Sequence, residues 1–288
     1  MTQWLNHPIT QWPNHQRAKS KKMIKLGVNS VLFGGFDFAT AAKHIAMAGY
    51  DGVEMAAIEG MCEHLKLSTW RTQAKEIKQM VQDNNLQLLS MEVASLNEDR
   101  LALAFEAGAE MGIPIVNVGP GGKMNVEEDF PKQIDILSRM AERAGAMGVT
   151  LCCKAHVGNV IFNTPMTLRA MAAIQSPAFG IDMDPSHIFR AGEEPKDALR
   201  PVLSRVKHIH IRDCKGPGPA PGAPPMQACG RGDIDLFGYC QVMAEGGYDG
   251  PVVLEVIGAN PLELAQCTAI ASESYGYLNA CLKRLGAR

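Results

Sequence analysis

The chain has 288 residues, 46% of them hydrophobic and 20% charged, with a formal net charge of −2. That balance is ordinary for a globular protein and gives no support to a nucleic-acid or membrane-surface partner. The eight cysteines contain no CxxC pair, which argues against a zinc-finger or disulfide framework, and no apolar run approaches the roughly 18 residues of a membrane span.

Residues 1–22 lack the apolar core of a signal peptide and show no period, so they read as a flexible or peripheral extension. The basic cluster Arg17, Lys19, Lys21 and Lys22 reads as part of that solvated tail. With reduced thiols, the expected location is cytoplasmic. From about Met23, short apolar runs alternate with helical patterns. Strands are expected at 24–29, 51–56, 86–92, 113–118, 149–154, 179–184, 206–213 and 251–256. Helices are expected at 38–47, 69–85, 99–111, 129–147, 164–174, 195–203, 233–245 and 261–285. Several helices end in a glycine just before the next strand, as in MGIPIV and MGVTL, where it supplies a left-handed turn.

Strict alternation implies parallel pairing with right-handed crossovers. Eight units point to an α/β fold, a closed (β/α)8 TIM barrel, as a single domain over 23–288. An open doubly wound sheet is the alternative. No GxGxxG follows the first strand and no GxxxxGK[ST] occurs, so its nucleotide-binding versions lose support. The Pro- and Gly-rich stretch 212–233 is too long for a simple connection and reads as a lid or substrate-gripping loop.

Functional groups of a barrel gather at the C-terminal ends of its strands. Those ends carry, in order, Glu54, Glu92, Asn117, Lys154 with His156, then Asp182, Asp184 and His187, then His208, His210 and Arg212, and last Glu255. Residues two apart share a face, so His208, His210 and Arg212 converge with Asp184 and Glu255. A mixed Asp, His and Glu set suits Mn²⁺, Zn²⁺, Co²⁺ or Fe²⁺, and Mg²⁺ less well. For Glu54 and Asp182 a plain salt bridge or helix cap is the simpler account.

The segments AGYDGVE (48–54), DPSH (184–187), HIHIRD (208–213), GRGDID (230–235) and GYDGPVVLEV (247–256) resemble the xylose isomerase-like TIM barrel superfamily, in its sugar phosphate isomerase/epimerase branch. The resemblance implies one divalent metal ion, manganese foremost, held by Asp184, His210 and Glu255 and by a glutamate at the end of strand five. It implies a substrate-contacting or metal-proximal role for His187, and a substrate contact from Arg212, which stands where the family often has the lysine of an H-x-K-D motif. Glu54 and Asn117 join them as candidate substrate-binding groups. Lys154, His156 and Glu255 are the candidate catalytic set.

The first ligand departs from the pattern. A Glu-x-His type sequence is expected at the end of strand five, and this chain has Lys154-Ala155-His156. Three accounts of Lys154 follow. A nearby metal lowers its pKa and makes it a general base or acid. Its ammonium replaces the metal and pairs with Asp184 and Glu255. Or it forms a Schiff base with a keto substrate. An inert lysine turned to the surface is the remaining option.

The expected activity is isomerisation or epimerisation of a small sugar, keto sugar or sugar acid, by proton transfer beside a metal-polarised carbonyl. Loss of one glutamate also suits a lyase: β-elimination from a 3-oxo-glycoside or decarboxylation of an oxo sugar acid. A non-catalytic sugar-binding or partner subunit, in a homo- or hetero-oligomer, is the reading from another class. A phosphodiester-cleaving repair enzyme would need more metal ligands and a basic face.

Overall fold

Each apolar run forms a strand, and the following segment returns the chain to the start of the next. The computed structural model describes residues 23–288; the expected N-terminal extension lies outside the described residues. The strands are β1 (Lys25–Asn29), β2 (Gly52–Ile58), β3 (Cys62–Glu63), β4 (Gln87–Ala94), β5 (Ile115–Val118), β6 (Thr150–Lys154), β7 (Phe179–Met183), β8 (Val206–Ile211) and β9 (Pro251–Leu254). All but β3 pair in parallel around the ring, and β1 joins both β2 and β9, which closes the barrel. The two-residue β3 folds back antiparallel on β2.

The helices are α1 (Phe38–Met47), α2 (Trp70–Asp83), α3 (Glu98–Met111), α4 (Asp129–Ala146), α5 (Thr164–Ala173), α6 (Pro185–Arg190), α7 (Pro195–Val202), α8 (Leu236–Glu245) and α9 (Leu264–Arg284). They pack their apolar stripes on the outward side chains of the strands. In α2 the buried stripe is Trp70, Ala74, Ile77 and Val81, which is helical spacing.

The barrel interior has an apolar floor and a polar ceiling. On the floor, a Cβ on Gly27 would lie 2.6 Å from Leu89 Cδ1, and one on Gly180 would lie 2.7 Å from the aliphatic Cγ of Lys207 and 2.9 Å from Cys152 Sγ. The large interior side chains fit because those facing strands carry none. Above the floor the register of β4 against β2 slips, pairing Val53 with Leu88 but Glu54 with Ser90. Such a bulge changes which residues face inward. It brings Ser90 and Glu92 into the interior above Leu89. A matching slip between β7 and β8 pairs Asp182 with His208.

Local differences from the sequence reading have physical causes. The strand expected to run to 184 stops at Met183, because Asp184 becomes the N-cap of α6, accepting from Ser186 N at 2.8 Å with Pro185 in the first turn. Neither α6 nor β3 was expected. Helix α8 starts at Leu236 rather than 233, since Asp235 caps it while Asp233 pairs with Lys215. Helix α9 starts at Leu264 rather than 261, set by a capping box of Glu263 and Gln266. All eight cysteines are free and buried. No described helix is long and apolar enough to cross a membrane.

Candidate active site

The polar ceiling is built in two tiers. In the lower tier Asp182 accepts from His208 Nδ1 at 3.0 Å, from the His210 backbone N–H at 3.0 Å and from His210 Nδ1 at 2.6 Å. The other nitrogen of His210 is hydrogen-bonded to Glu54. Glu54 also accepts from Asn29 Nδ2 at 2.8 Å and Asn117 Nδ2 at 2.6 Å. His208 Nε2 is 2.9 Å from Ser90 Oγ. All of these groups are buried.

Burial opposes charge on His210, but Asp182 and then Glu54 outweigh it and hold the imidazole well above its usual range. Asp182 is correspondingly held far below the carboxylate range: burial would raise it, and His210 and His208 overcome that. Both ring nitrogens of His210 face carboxylates, so both carry protons and the ring is a clamped imidazolium. Glu54 and Asp182, for which a plain salt bridge or cap was the simpler account, together hold this histidine.

The upper tier opens on a cavity of about 330 Å³ at the C-terminal end of the barrel. Lys154 Nζ lies 2.9 Å from Glu92 Oε1 and 2.9 Å from Glu255 Oε1. Arg212 approaches Asp184 Oδ2 at 2.9 Å and Glu255 Oε2 at 3.3 Å. It also donates to Ser186 Oγ at 2.8 Å and to His187 Nε2 at 2.9 Å. His187 stacks on His156 with centroids 3.9 Å apart. Burial lowers both imidazoles, His187 further by Arg212 and His156 further by Lys154, so both are neutral.

The two glutamates on Lys154 are held in opposite states. Burial, then the charge of Glu255, raises Glu92 to about 8 against the pull of Lys154. Burial would raise Glu255 too, but Lys154, His210 and Arg212 hold it well below the usual range. Lys154 itself is raised: burial opposes the charge, and Glu255 and Glu92 more than restore it. Held between these two carboxylates, the Lys154 ammonium keeps its charge. Its partners also differ from those expected, since Asp184 belongs to Arg212.

The cavity is lined by Lys154, His156, His187, Arg212 and Glu255 from the expected set. Glu54, Asn117, Asp184 and His210 lie behind that surface. Glu92 and Arg190 line it too, and neither was among the site residues chosen from the sequence. Glu92 had a signal, an acid closing the run LQLLSME; Arg190 had none, because a short helix carries it to the rim. The Pro-rich loop supplies Pro219, Ala220 and Pro221 as an apolar wall, and Arg190 donates to the carbonyls of Gly218 and Pro219. A roomier groove of about 630 Å³ lies along α2 on the outer surface, away from the strand ends.

Among the described residues, two groups have donor atoms within 4.8 Å of one another, close enough together to hold a metal ion: Glu54, His208 and His210, and Glu92, His210 and Glu255. Most of their donor atoms are already engaged. His210 has no free lone pair, and Lys154 sits on both carboxylates of the second group. Asp184 Oδ2 and Glu255 Oε2 have no hydrogen-bond partner, yet both face the Arg212 guanidinium. In this arrangement the side chains do not fit a divalent ion as well as its two organic counterparts.

Several comparisons place this geometry among known proteins. A curated relative, the inosose dehydratase of Clostridium perfringens, is 26% identical over 157 residues, 48% of this chain and 52% of its own length. The inosose dehydratase of Lacticaseibacillus casei matches equally, at 26% over 157 residues. The chain thus spans about half the length of the curated relatives it matches. Among solved structures, D-psicose 3-epimerase with D-tagatose from Clostridium cellulolyticum superposes with a TM-score of 0.73 at 15% identity, over 90% of this chain and 99% of that one. The probable 3-DHS dehydratase of petrobactin synthesis from Bacillus anthracis gives 0.71 at 14%, over 86% and 97%. At such identities the likeness is one of fold. The family profile described as xylose isomerase-like TIM barrel matches residues 42–281, and the chain belongs to that family.

Proposed function

We propose that the protein is a lyase of the dehydratase type. It would remove a proton from the carbon beside the carbonyl of a small polyhydroxy ketone, keto sugar or sugar acid, and expel the β-hydroxyl as water. The observation that carries this reading is Lys154 Nζ held 2.9 Å from both Glu92 and Glu255, with burial and the charge of Glu255 favouring the proton on Glu92. Elimination needs one base, one acid and an electron sink, and these three groups line one cavity.

Glu255 takes the α-proton as the C–H bond breaks. The ammonium of Lys154 and the guanidinium of Arg212 stabilise the oxyanion of the enolate. The enolate collapses, the β C–O bond breaks, and Glu92 gives its proton to the departing hydroxyl. Proton exchange between the two carboxyls then resets the site. Neutral His156 and His187 offer hydrogen bonds to the remaining hydroxyls. No step passes through a divalent ion.

Arg190 narrows the substrate. Its guanidinium lines the cavity, donates only to backbone carbonyls, and has no carboxylate partner among the described residues. An acidic group on the substrate would complete it, which favours a keto sugar acid.

Isomerisation or epimerisation is the second reading, favoured by the same pair. If Glu92 returns its proton to carbon instead of oxygen, the carbon skeleton and hydroxyl count are kept. Product NMR in deuterated water on keto cyclitols, keto sugars and keto sugar acids separates the two. Loss of water with a new enone identifies the lyase, deuterium in an intact skeleton the isomerase, and no turnover of any member sinks both.

A further inference from the structure

We infer that Lys154 and Arg212 together take the place of the divalent ion expected at this site, so that the protein works as a metal-free member of its family. The inference rests on reading this cavity as the active site, but not on which reaction occurs there.

The geometry supplies the argument. Glu255 is shared: one oxygen receives Lys154 at 2.9 Å and the other faces Arg212 at 3.3 Å. Glu92 is held by Lys154, and Asp184 by Arg212 at 2.9 Å. Two monovalent cations therefore deliver the double positive charge of one metal ion to the carboxylates around it. All five groups are buried, so the pairing is poorly screened. An ion bound to Glu92 and Glu255 would lie a few ångströms from the ammonium on the same oxygens, where like charges repel strongly.

The imidazole that would complete the metal shell is also unavailable. His210 has one ring nitrogen against Asp182 and the other against Glu54, so neither is open to an ion in the cavity. Those acceptors are themselves fixed, Glu54 by Asn29 and Asn117, Asp182 by His208. Freeing His210 would disturb the whole lower tier.

The exchange of charge carriers has a chemical consequence. A metal offers open coordination positions to two substrate oxygens, whereas ammonium and guanidinium offer directed N–H donors. The cations also cannot be stripped by a chelator.

The test is metal content, which does not depend on knowing the substrate. The full-length protein is purified without chelators from cells supplied with manganese, cobalt, iron and zinc, and bound metal is measured by elemental mass spectrometry. Wild type should carry far less than about one ion per chain, and added Mn²⁺ should give no saturable binding by calorimetry. Lys154→Glu, checked for folding by circular dichroism, should bind Mn²⁺, and adding Glu255→Ala should abolish that binding. Lys154→Gln, which removes the charge with less change, should show saturable Mn²⁺ binding where wild type shows none. Stoichiometric metal in wild type would overturn the inference. So would folded Lys154→Glu and Lys154→Gln proteins that bind no better than wild type. If wild type is metal-free but turns over none of the ketones, the proposed reaction fails while the inference stands.

Discussion

Glu92 and Glu255 share one ammonium, each 2.9 Å from Lys154 Nζ, yet one is a buried acid and the other a buried anion. Like charges this close cannot both persist in a dry site unless both are fully compensated. Arg212, against the second oxygen of Glu255, breaks the symmetry. The pair behaves as an acid and a base with their roles already assigned.

A pH profile should show this directly. Glu255 is held well below the ordinary range, so kcat should persist into acid until that carboxylate is protonated. Glu92 is raised to about 8, so kcat should fall as pH rises through about 8 and the acid is lost. Glu92→Gln should remove the alkaline limb along with most activity. A profile flat from pH 6 to about 10 would exclude Glu92 as the acid.

Stability should follow the same group. Between its ordinary value of 4.5 and about 8, Glu92 holds a proton in the folded protein that the unfolded chain has released. Unfolding free energy should therefore fall as pH rises through that window. Glu92→Gln should flatten this slope in urea titrations run at several pH values.

Removing the ammonium leaves two buried carboxyls facing each other. Lys154→Met should lower stability by about 3–5 kcal/mol, the usual cost of breaking a buried ion pair, unless Glu255 also becomes protonated. Activity should drop by at least about a hundredfold through loss of oxyanion stabilisation. Borohydride treatment with a keto sugar should leave wild-type mass unchanged, since the lysine stays charged. A trapped adduct on Lys154 would instead establish a Schiff base.

Arg190 should set substrate charge. Arg190→Gln should raise KM for a keto sugar acid about tenfold while leaving a neutral keto sugar nearly unchanged. Equal effects on both would mean that Arg190 serves only to hold the Pro219 loop.

The lower tier should behave as a support. Asp182→Asn removes the charge that holds His208 and His210, and should cost about 3 kcal/mol or more. Thermal melts would check it, with Asn117→Ala as the milder comparison.

Much of this was legible in the residues themselves. Alternating apolar runs and helical stripes dictated eight strand–helix units, because side-chain periods of two and 3.6 leave few other folds for such a chain. Position at strand ends was enough to bring Lys154, His156, His187, Arg212 and Glu255 to one cavity. What partners those side chains take was decided only by the closed barrel. The run LQLLSME places Glu92 at a strand end, but the one-residue slip in β4 that sets its facing toward Lys154 has no local signal. A six-residue helix after Asp184 carries Arg190 to the rim. Protonation states depend on charges from strands as distant in sequence as β2 and β9. Burial and field are sums over the whole interior, so the sequence can place an acid at the rim of a barrel, but only the assembled barrel decides whether it keeps its proton.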